Sequence, residues 1–150
     1  MNIQIHIDRA SLSDLNEIML VEATCFGEDA FSRQQIAYLI SHAKGIFLKV
    51  IYDKKVIGYI SFPTSERHHT GRIYSIAVVP GYRNYGVGGK LLDQTIEYAT
   101  QKQLKAVFLE VRTDNSAAIS VYEKKGFVIR SIKPEYYHDG ADAYSMVLYL

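Results

Sequence analysis

The feature that most restricts the fold is a glycine-rich turn, Arg83–Lys90, which lies between an apolar strand pattern and an amphipathic helix pattern. Gly86, Gly88 and Gly89 let the backbone take positive φ and leave no side chain to block a ligand. The helix that follows starts with unpaired amide groups and the positive end of its dipole. Such a turn is suited to hold a phosphate or pyrophosphate, although a tight turn that binds nothing fits the same residues.

The glycine spacing excludes two common phosphate-binding motifs. No Lys-Ser or Lys-Thr pair follows the last glycine, as a P-loop requires. Leu91 stands where the dinucleotide fingerprint needs its third glycine. Arg83, just before the glycines, can pair with an anionic oxygen.

Hydrophobic periodicity around this turn predicts an α/β mixed sheet in the order β-α-α-β-β-β-α-β-α-β-β, with about seven strands and helices on both faces. The predicted strands are 3–7, 46–52, 56–63, 72–80, 106–111, 127–133 and 143–149. The predicted helices are 14–26, 32–43, 88–103 and 115–125. Ser32 is the expected N-cap of the second helix. Strand 106–111 is almost wholly apolar, which predicts cover on both of its faces.

Length and composition restrict the class of protein further. The 150 residues fit one domain spanning 1–150, and the net charge of +1 predicts neither nucleic-acid nor membrane binding. No run reaches the roughly 20 apolar residues of a membrane span. Cys25 is the only cysteine, which excludes an intrachain disulfide and predicts a cytoplasmic location. His68 and His69 lack metal-ligand spacing with other His or Cys residues, so no metal is expected.

A second cluster of polar residues follows the strand at 106–111. Glu110 lies at the carboxyl end of that strand, where open α/β sheets bind ligands. Asn115 stands at the start of the next helix, and Tyr122 lies two turns along it. Each also has a purely structural interpretation, as a solvated acid, a helix cap and a packing aromatic respectively.

Together the two segments resemble the GNAT acetyltransferases. The matching residues are Arg83, Gly86, Gly88, Asn115, Tyr122, Gly126 and Phe127. Within that superfamily the chain is most similar to the ribosomal-protein alanine N-acetyltransferases and their N-terminal acetyltransferase relatives. Three stretches carry this likeness: Ser75-Ile76-Ala77-Val78, Leu109-Glu110-Val111-Arg112, and Tyr136-Tyr137 followed by Asp139-Gly140-Ala141-Asp142-Ala143.

The resemblance implies transfer of an acetyl group from acetyl-CoA to a primary amine. It implies Glu110 as general base and Tyr122 as general acid. It places the cofactor against Ile76, Ala77, Val78, Arg83, Asn84, Tyr85, Gly86, Val87, Gly88, Gly89, Asn115 and Tyr122. It places the acceptor against Phe31, Tyr136 and Tyr137, although these two tyrosines could equally be ordinary aromatics of a solvated hairpin. The oligomeric state expected is a monomer or a weak dimer.

The acceptor is the open part of this prediction. The related enzymes often carry Pro-Trp-Ser between the first two helices, whereas this chain has Ala30-Phe31-Ser32. A protein or peptide N-terminus is the first expectation, and a small amine such as a polyamine, or a lysine side chain, is the second. Glu22, Glu28 and Asp29 could attract such a cation. A third interpretation is a non-catalytic module that senses acyl-CoA.

Overall fold

The computed structural model describes residues 3–150 and confirms the expected α/β class: one sheet carries helices on both faces. The elements in chain order are β1 His6–Arg9, α1 Leu15–Phe26, α2 Arg33–Ser41, β2 Gly45–Tyr52, β3 Lys55–Ser65, β4 Thr70–Ile73, β5 Ser75–Val78, α3 Val87–Gln101, β6 Ala106–Arg112, α4 Ser116–Lys124, β7 Val128–Lys133 and β8 Ala143–Tyr149.

The sheet runs in the order β1-β2-β3-β4-β6-β8-β7, with β5 paired to β3 beside this path. All pairs are antiparallel except β4 with β6. This one parallel pair needs a crossover connection, and α3 supplies it. The crossover places the glycine-rich turn at the end of β5, at the centre of the sheet.

The predicted single strand at 72–80 is wrong, because the chain breaks there into β4 and β5. Thr64 of β3 pairs with Gly71, and Ser61 of β3 pairs with Ser75. The two pairs are three residues apart on β3 but four residues apart on the opposite side. Tyr74 is therefore an extra residue in this ladder, which is the definition of a β-bulge. After the bulge β5 stays paired with β3, whereas β6 continues paired with β8 only, so the two halves of the sheet separate.

Local signals explain most of the remaining elements. The Ser32 hydroxyl accepts from the Gln35 N–H at 3.2 Å, and the Gln35 side chain accepts from the Ser32 N–H at 2.8 Å, so α2 begins with a capping box. Asp53 and Lys54 have φ of 50° and 63°, as a two-residue hairpin turn requires. The strand predicted at 3–7 begins only at His6. His6 pairs with Ile51, and β2 ends one residue later, so the residues before His6 have no strand to pair with.

Two hydrophobic layers hold the helices against the sheet. Leu91 and Leu92 of α3 pack with Leu109 and Met146 beneath them, all essentially inaccessible to solvent. On the opposite face α1 and α2 pack on β2, β3 and β5 through residues that include Ile18. Each fully buried side chain of this size contributes about 1.5–3 kcal/mol relative to exposure.

The second helical layer covers only one half of the sheet. On β6, Val107, Leu109 and Val111 are buried under α3 and α4, whereas Phe108 and Glu110 on the other face are only partly buried. The prediction that this strand is covered on both faces is therefore wrong, because α1 and α2 lie on β2, β3 and β5 instead. Among residues 3–150, no helix has the length and apolar character needed to cross a membrane.

Candidate active site

The separation of β5 from β6 opens a cleft of about 510 Å³ through the middle of the sheet. This volume lies within the range of small-molecule sites. One side is lined by α1 through Glu22, and the other by α4 through Tyr122. The cleft therefore connects the two faces of the sheet. Seven of the sixteen residues expected at the site border it: Phe31, Ile76, Glu110, Asn115, Tyr122, Tyr136 and Tyr137.

The backbone of β5 presents unpaired peptide groups to this cleft. The Val79 N–H donates to the Ile57 carbonyl at 2.8 Å, and Ala77 is the register partner of Tyr59. Since peptide groups alternate in direction along a strand, Ile76 and Val78 turn theirs away from β3. Both peptide groups of Ile76 and the N–H of Val78 can bond a ligand, because the Val78 carbonyl accepts from Arg83. The peptide groups of Ala77 are directed toward β3.

The glycine-rich turn forms a concave set of amides at the start of α3. Asn84 and Gly86 have φ of 71° and 76°, the left-handed conformation that makes successive N–H groups converge. Lys90 is the first residue to donate back within the helix, to the Gly86 carbonyl at 3.1 Å, which leaves the preceding N–H groups without intrahelical partners. A Cβ built at Gly88 would meet no protein atom within 4 Å. Protein packing therefore does not require this glycine, and the space beside it is open.

Arg83 is turned toward the end of β5. Its Nε donates to the Val78 carbonyl at 2.8 Å, and Nη2 lies 3.6 Å from the Cys25 sulfur. The arginine thus ties the turn to the strand and to α1. Burial raises the pKa of the Cys25 thiol. Beyond Arg83, Tyr85 packs against the core and Val87 is buried, so both anchor the turn.

Glu110 lies on the face of β6 that α1 and α2 leave uncovered. Its Oε2 accepts hydrogen bonds from Arg72 on β4 and from Lys133 on β7, the latter at 3.3 Å. The side chain is only 10% exposed. Within residues 3–150 no donor bonds to Oε1, so this oxygen is free to accept a proton from a substrate.

Tyr122 and Asn115 reach the cleft from α4. The Tyr122 ring is 7% exposed and packs edge-on against Phe127, with 5.9 Å between ring centroids. Burial, with a smaller contribution from Tyr137, raises the pKa of the Tyr122 hydroxyl above its usual value, so it keeps its proton at neutral pH. The Asn115 side chain caps α4 by accepting from the Ala118 N–H at 3.2 Å. Its amide nitrogen is left for a ligand.

Glu22 is a second cleft carboxyl, and sequence reasoning placed it only among acids that could attract a cation. It is 1% exposed, and its oxygens accept from the Phe31 N–H at 2.8 Å and from the Ser75 hydroxyl at 3.1 Å. Burial raises its pKa, because no cation within residues 3–150 pairs with it. Its position on the apolar stripe of α1, four residues after Ile18, was the available signal.

Two loops border the cleft near the end of α1. Tyr136 and Tyr137, between β7 and β8, stack edge-on with centroids 5.0 Å apart. Burial, and secondarily Tyr136, raises the pKa of Tyr137 to about 12. Opposite them, the Phe31 ring lies 6.4 Å from the Tyr74 ring. The tyrosine loop is held by Arg112, whose guanidinium bonds Asp139 at 2.7 Å.

The site contains an open cleft, an amide-lined turn and two carboxyls, and residues 3–150 contain no group of side chains arranged to hold a metal ion. Residues 12–127 match the family model described as the acetyltransferase (GNAT) family. An N-alpha-acetyltransferase of Sulfurisphaera tokodaii is 31% identical over 153 residues, which cover 93% of this chain and 90% of that one.

Solved structures have the same architecture. Ard1 from Thermoplasma volcanium aligns with a TM-score of 0.90 at 30% identity over 99% of both chains. The ribosomal-protein-S18-alanine N-acetyltransferase from Escherichia coli aligns with a TM-score of 0.88 at 26% identity, over 97% of this chain and 94% of the other. Acetyl-CoA is the cofactor of this acetyltransferase family. The chain therefore belongs to the GNAT acetyltransferase family and is an acetyl-CoA-dependent acetyltransferase.

Proposed function

We propose that the protein acetylates the α-amine at the N-terminus of a protein or peptide. The observation that carries this proposal is the cleft that passes through the sheet, with Tyr122 on the α4 side and two acceptor loops on the other. Relatives named N-alpha-acetyltransferase, about 30% identical over nearly the whole chain, support the same acceptor.

The chemistry of the acceptor favours an α-amine. Only a neutral amine attacks a thioester, and an α-amine has a pKa near 7.7–8.0, against about 10.4 for lysine. At pH 7 roughly one α-amine in ten is neutral, but fewer than one lysine in a thousand. A cleft that supplies one modest base can therefore act on a main-chain amine at lower cost.

Cofactor binding in this proposal uses the backbone of the turn and of β5. Amides of Asn84–Gly89 hold the diphosphate, with Arg83 fixing the turn to β5. The free peptide groups of Ile76 and the free N–H of Val78 bond the pantetheine arm, and Asn115 contacts the arm through its side-chain amide. Ala77 supports this strand edge from the α1 side, where it is buried.

The transfer step needs a base and an acid. The amine nitrogen bonds to the thioester carbonyl carbon, and the carbon–sulfur bond breaks. Glu110 takes the proton of the amine through its free Oε1, directly or through one water, and Tyr122 gives its proton to the departing thiolate. Glu110 then releases its proton to solvent and Tyr122 regains one. Phe31, Tyr136 and Tyr137 border the path of the acceptor chain.

Glu22 is a second candidate for the base. Glu110 pairs with Arg72 and Lys133, whereas Glu22 has no cationic partner within residues 3–150, and its burial raises its pKa and favours proton uptake. The pH profiles of Glu110→Gln and Glu22→Gln distinguish the two. Loss of the acidic limb of kcat/KM identifies the base, and loss of turnover without a change in that limb identifies a positioning residue.

The acceptor is tested by mass-detected acetyl transfer to three substrates: a peptide with a free N-terminus, a lysine peptide blocked at its N-terminus, and spermidine. We expect the free N-terminal peptide to have the highest kcat/KM by at least tenfold. Preference for spermidine or for the blocked peptide would support the small-amine or lysine alternative. Acetyl-CoA binding without transfer to any of the three would support a sensing module.

A further inference from the structure

The half of the sheet that α1 and α2 leave uncovered carries an excess of positive charge. Arg72 on β4 and Arg130 on β7 lie over the partly buried ring of Phe108, and Lys133 on β7 pairs with Glu110, two residues further along β6. We name Phe108, Arg72, Arg130 and Lys133 the basic face. The guanidinium carbons of Arg72 and Arg130 lie 5.8 and 5.3 Å from the Phe108 centroid. An aromatic ring of the sheet is thus covered by two cations in place of a helix.

One carboxylate balances three cations on this face. Arg72 and Lys133 both bond Glu110, and they share a single oxygen of it. Arg130 forms no ion pair within residues 3–150 and is exposed. The basic face therefore keeps about two uncompensated positive charges on a protein whose total net charge is +1. Their concentration in one place attracts acidic groups.

The basic face is continuous with the acceptor side of the cleft. Lys133 Nζ lies 5.7 Å from the ring centroid of Tyr136, and both Tyr136 and Glu110 border the cleft. Phe108 lies two residues along β6 from Glu110, a separation of roughly 7 Å. An extended peptide advances about 3.3–3.6 Å per residue. A chain whose amine lies near Glu110 therefore reaches Arg130 with its second to fourth following residues.

We propose that the basic face binds acidic side chains of the acceptor polypeptide at about its third to fifth positions, and so selects N-termini followed by Asp or Glu. This inference rests on the proposed α-amine activity and adds a specificity to it. Arg130 is the test residue, because it touches neither Glu110 nor the cleft, whereas Arg72 and Lys133 would perturb the candidate base.

The experiment compares two peptides that share their first two residues and carry either Asp and Glu or Asn and Gln at positions three to five. Arg130→Gln is compared with Arg9→Gln as a matched control. Arg9 is an exposed arginine on β1, the opposite edge strand of the sheet, and it also lies over an aromatic ring, that of Tyr98. For the wild type and Arg9→Gln we expect a KM roughly two- to fivefold lower for the acidic peptide, the range of exposed ion pairs. For Arg130→Gln we expect the KM values of the two peptides to be nearly equal. Its kcat with the peptide that carries Asn and Gln should match that of the wild type.

Two further conditions make the result specific. The preference should weaken in 0.5 M salt and disappear when the acidic residues are moved beyond position eight. Equal KM values for both peptides in the wild type, or a preference that survives Arg130→Gln, would overturn the basic face as a specificity site and leave α-amine acetylation intact. Failure to acetylate either peptide would overturn the proposed function, and this inference with it.

Discussion

His138 and Asp29 join the two loops on the acceptor side of the cleft. The His138 Nδ1 lies 2.6 Å from the Asp29 Oδ1, and the His138 backbone N–H donates to the same oxygen at 3.0 Å. These hydrogen bonds from His138 lower the pKa of Asp29, and the side-chain bond to Asp29 raises the pKa of His138. The tyrosine loop is therefore tied to the segment between α1 and α2 by a bond that depends on pH.

The first prediction concerns this tie. The pKa of His138 is raised in the folded state. Its contribution to folding stability is therefore complete below the unfolded pKa near 6.5 and is lost as pH rises through the folded pKa. Asp29 sets the lower limit, since its contribution is lost as pH falls through its lowered pKa. Asp29→Asn should bring the His138 pKa back toward 6.5 in an NMR titration, whereas Asp8→Asn should not. An unchanged His138 pKa in Asp29→Asn would contradict the tie.

The second prediction concerns the proton donor. Tyr122→Phe should lower kcat by roughly tenfold or more and leave the Kd for acetyl-CoA nearly unchanged, because only the hydroxyl is removed. Since burial raises the pKa of Tyr122, wild-type kcat should show no alkaline limb from this group below about pH 10. Tyr52→Phe, outside the cleft, is the control. Wild-type turnover in Tyr122→Phe would exclude it as the acid.

The third prediction concerns Glu110 and its two cations. Glu110→Gln keeps the shape of the side chain but removes the base, so kcat/KM should fall by roughly 10²- to 10⁴-fold at pH values where the native carboxyl is ionised. Glu123→Gln, on the exposed side of α4, should have wild-type kinetics. Steady-state rates from pH 5 to 9 provide the measurement. A fall of less than twofold across that range would assign the proton to another group.

The fourth prediction uses the buried carboxyl of α1. The pKa of Glu22 is raised in the folded state, so the folded protein holds this proton more tightly than the unfolded chain does. Glu22 therefore lowers the folding stability increasingly as pH rises above the unfolded pKa near 4.3. Glu22→Gln cannot ionise, so its Tm relative to the wild type should increase from pH 4 to pH 8. The exposed Glu28 provides the control substitution, Glu28→Gln. A Tm difference that is independent of pH would contradict the assignment.

The fifth prediction separates cofactor binding from stability. A methyl group at Gly88 meets no protein atom, so Gly88→Ala should fold normally and could gain up to about 1 kcal/mol in α3. The same methyl would occupy the space expected for the diphosphate, and KM for acetyl-CoA should rise roughly tenfold, equivalent to about 1.4 kcal/mol. Gly81→Ala is the control, because that site is equally open but lies outside the turn. Unchanged cofactor affinity in Gly88→Ala would remove this helix end from the site.

Elements governed by local interactions could be predicted from the sequence. The N-cap at Ser32 and the glycine-rich start of α3 are encoded within a few residues, and the structure places both where they were expected. The Tyr74 bulge could not be predicted, because it depends on the register of β4 and β5 against β3 and β6. The same limit applies to Phe108, whose exposure depends on which half of the sheet α1 and α2 cover.

The candidate site shows the same division. Glu110 and Tyr122 stand in motifs with recognisable spacing, and they line one cleft. The partners of Glu110 were missed, because Arg72 and Lys133 come from strands 38 and 23 residues away in the chain. Glu22 was judged by its charge, although its place on the apolar stripe of α1 was the better guide to its burial.

The single extra residue at Tyr74 has a kinetic consequence. A donor bound from the α3 side and an acceptor bound from the α1 side would approach the reaction centre from opposite surfaces of the molecule. Neither would then block the route of the other, so a ternary complex could assemble in either order. The spent coenzyme could also depart while a long acetylated chain was still in place.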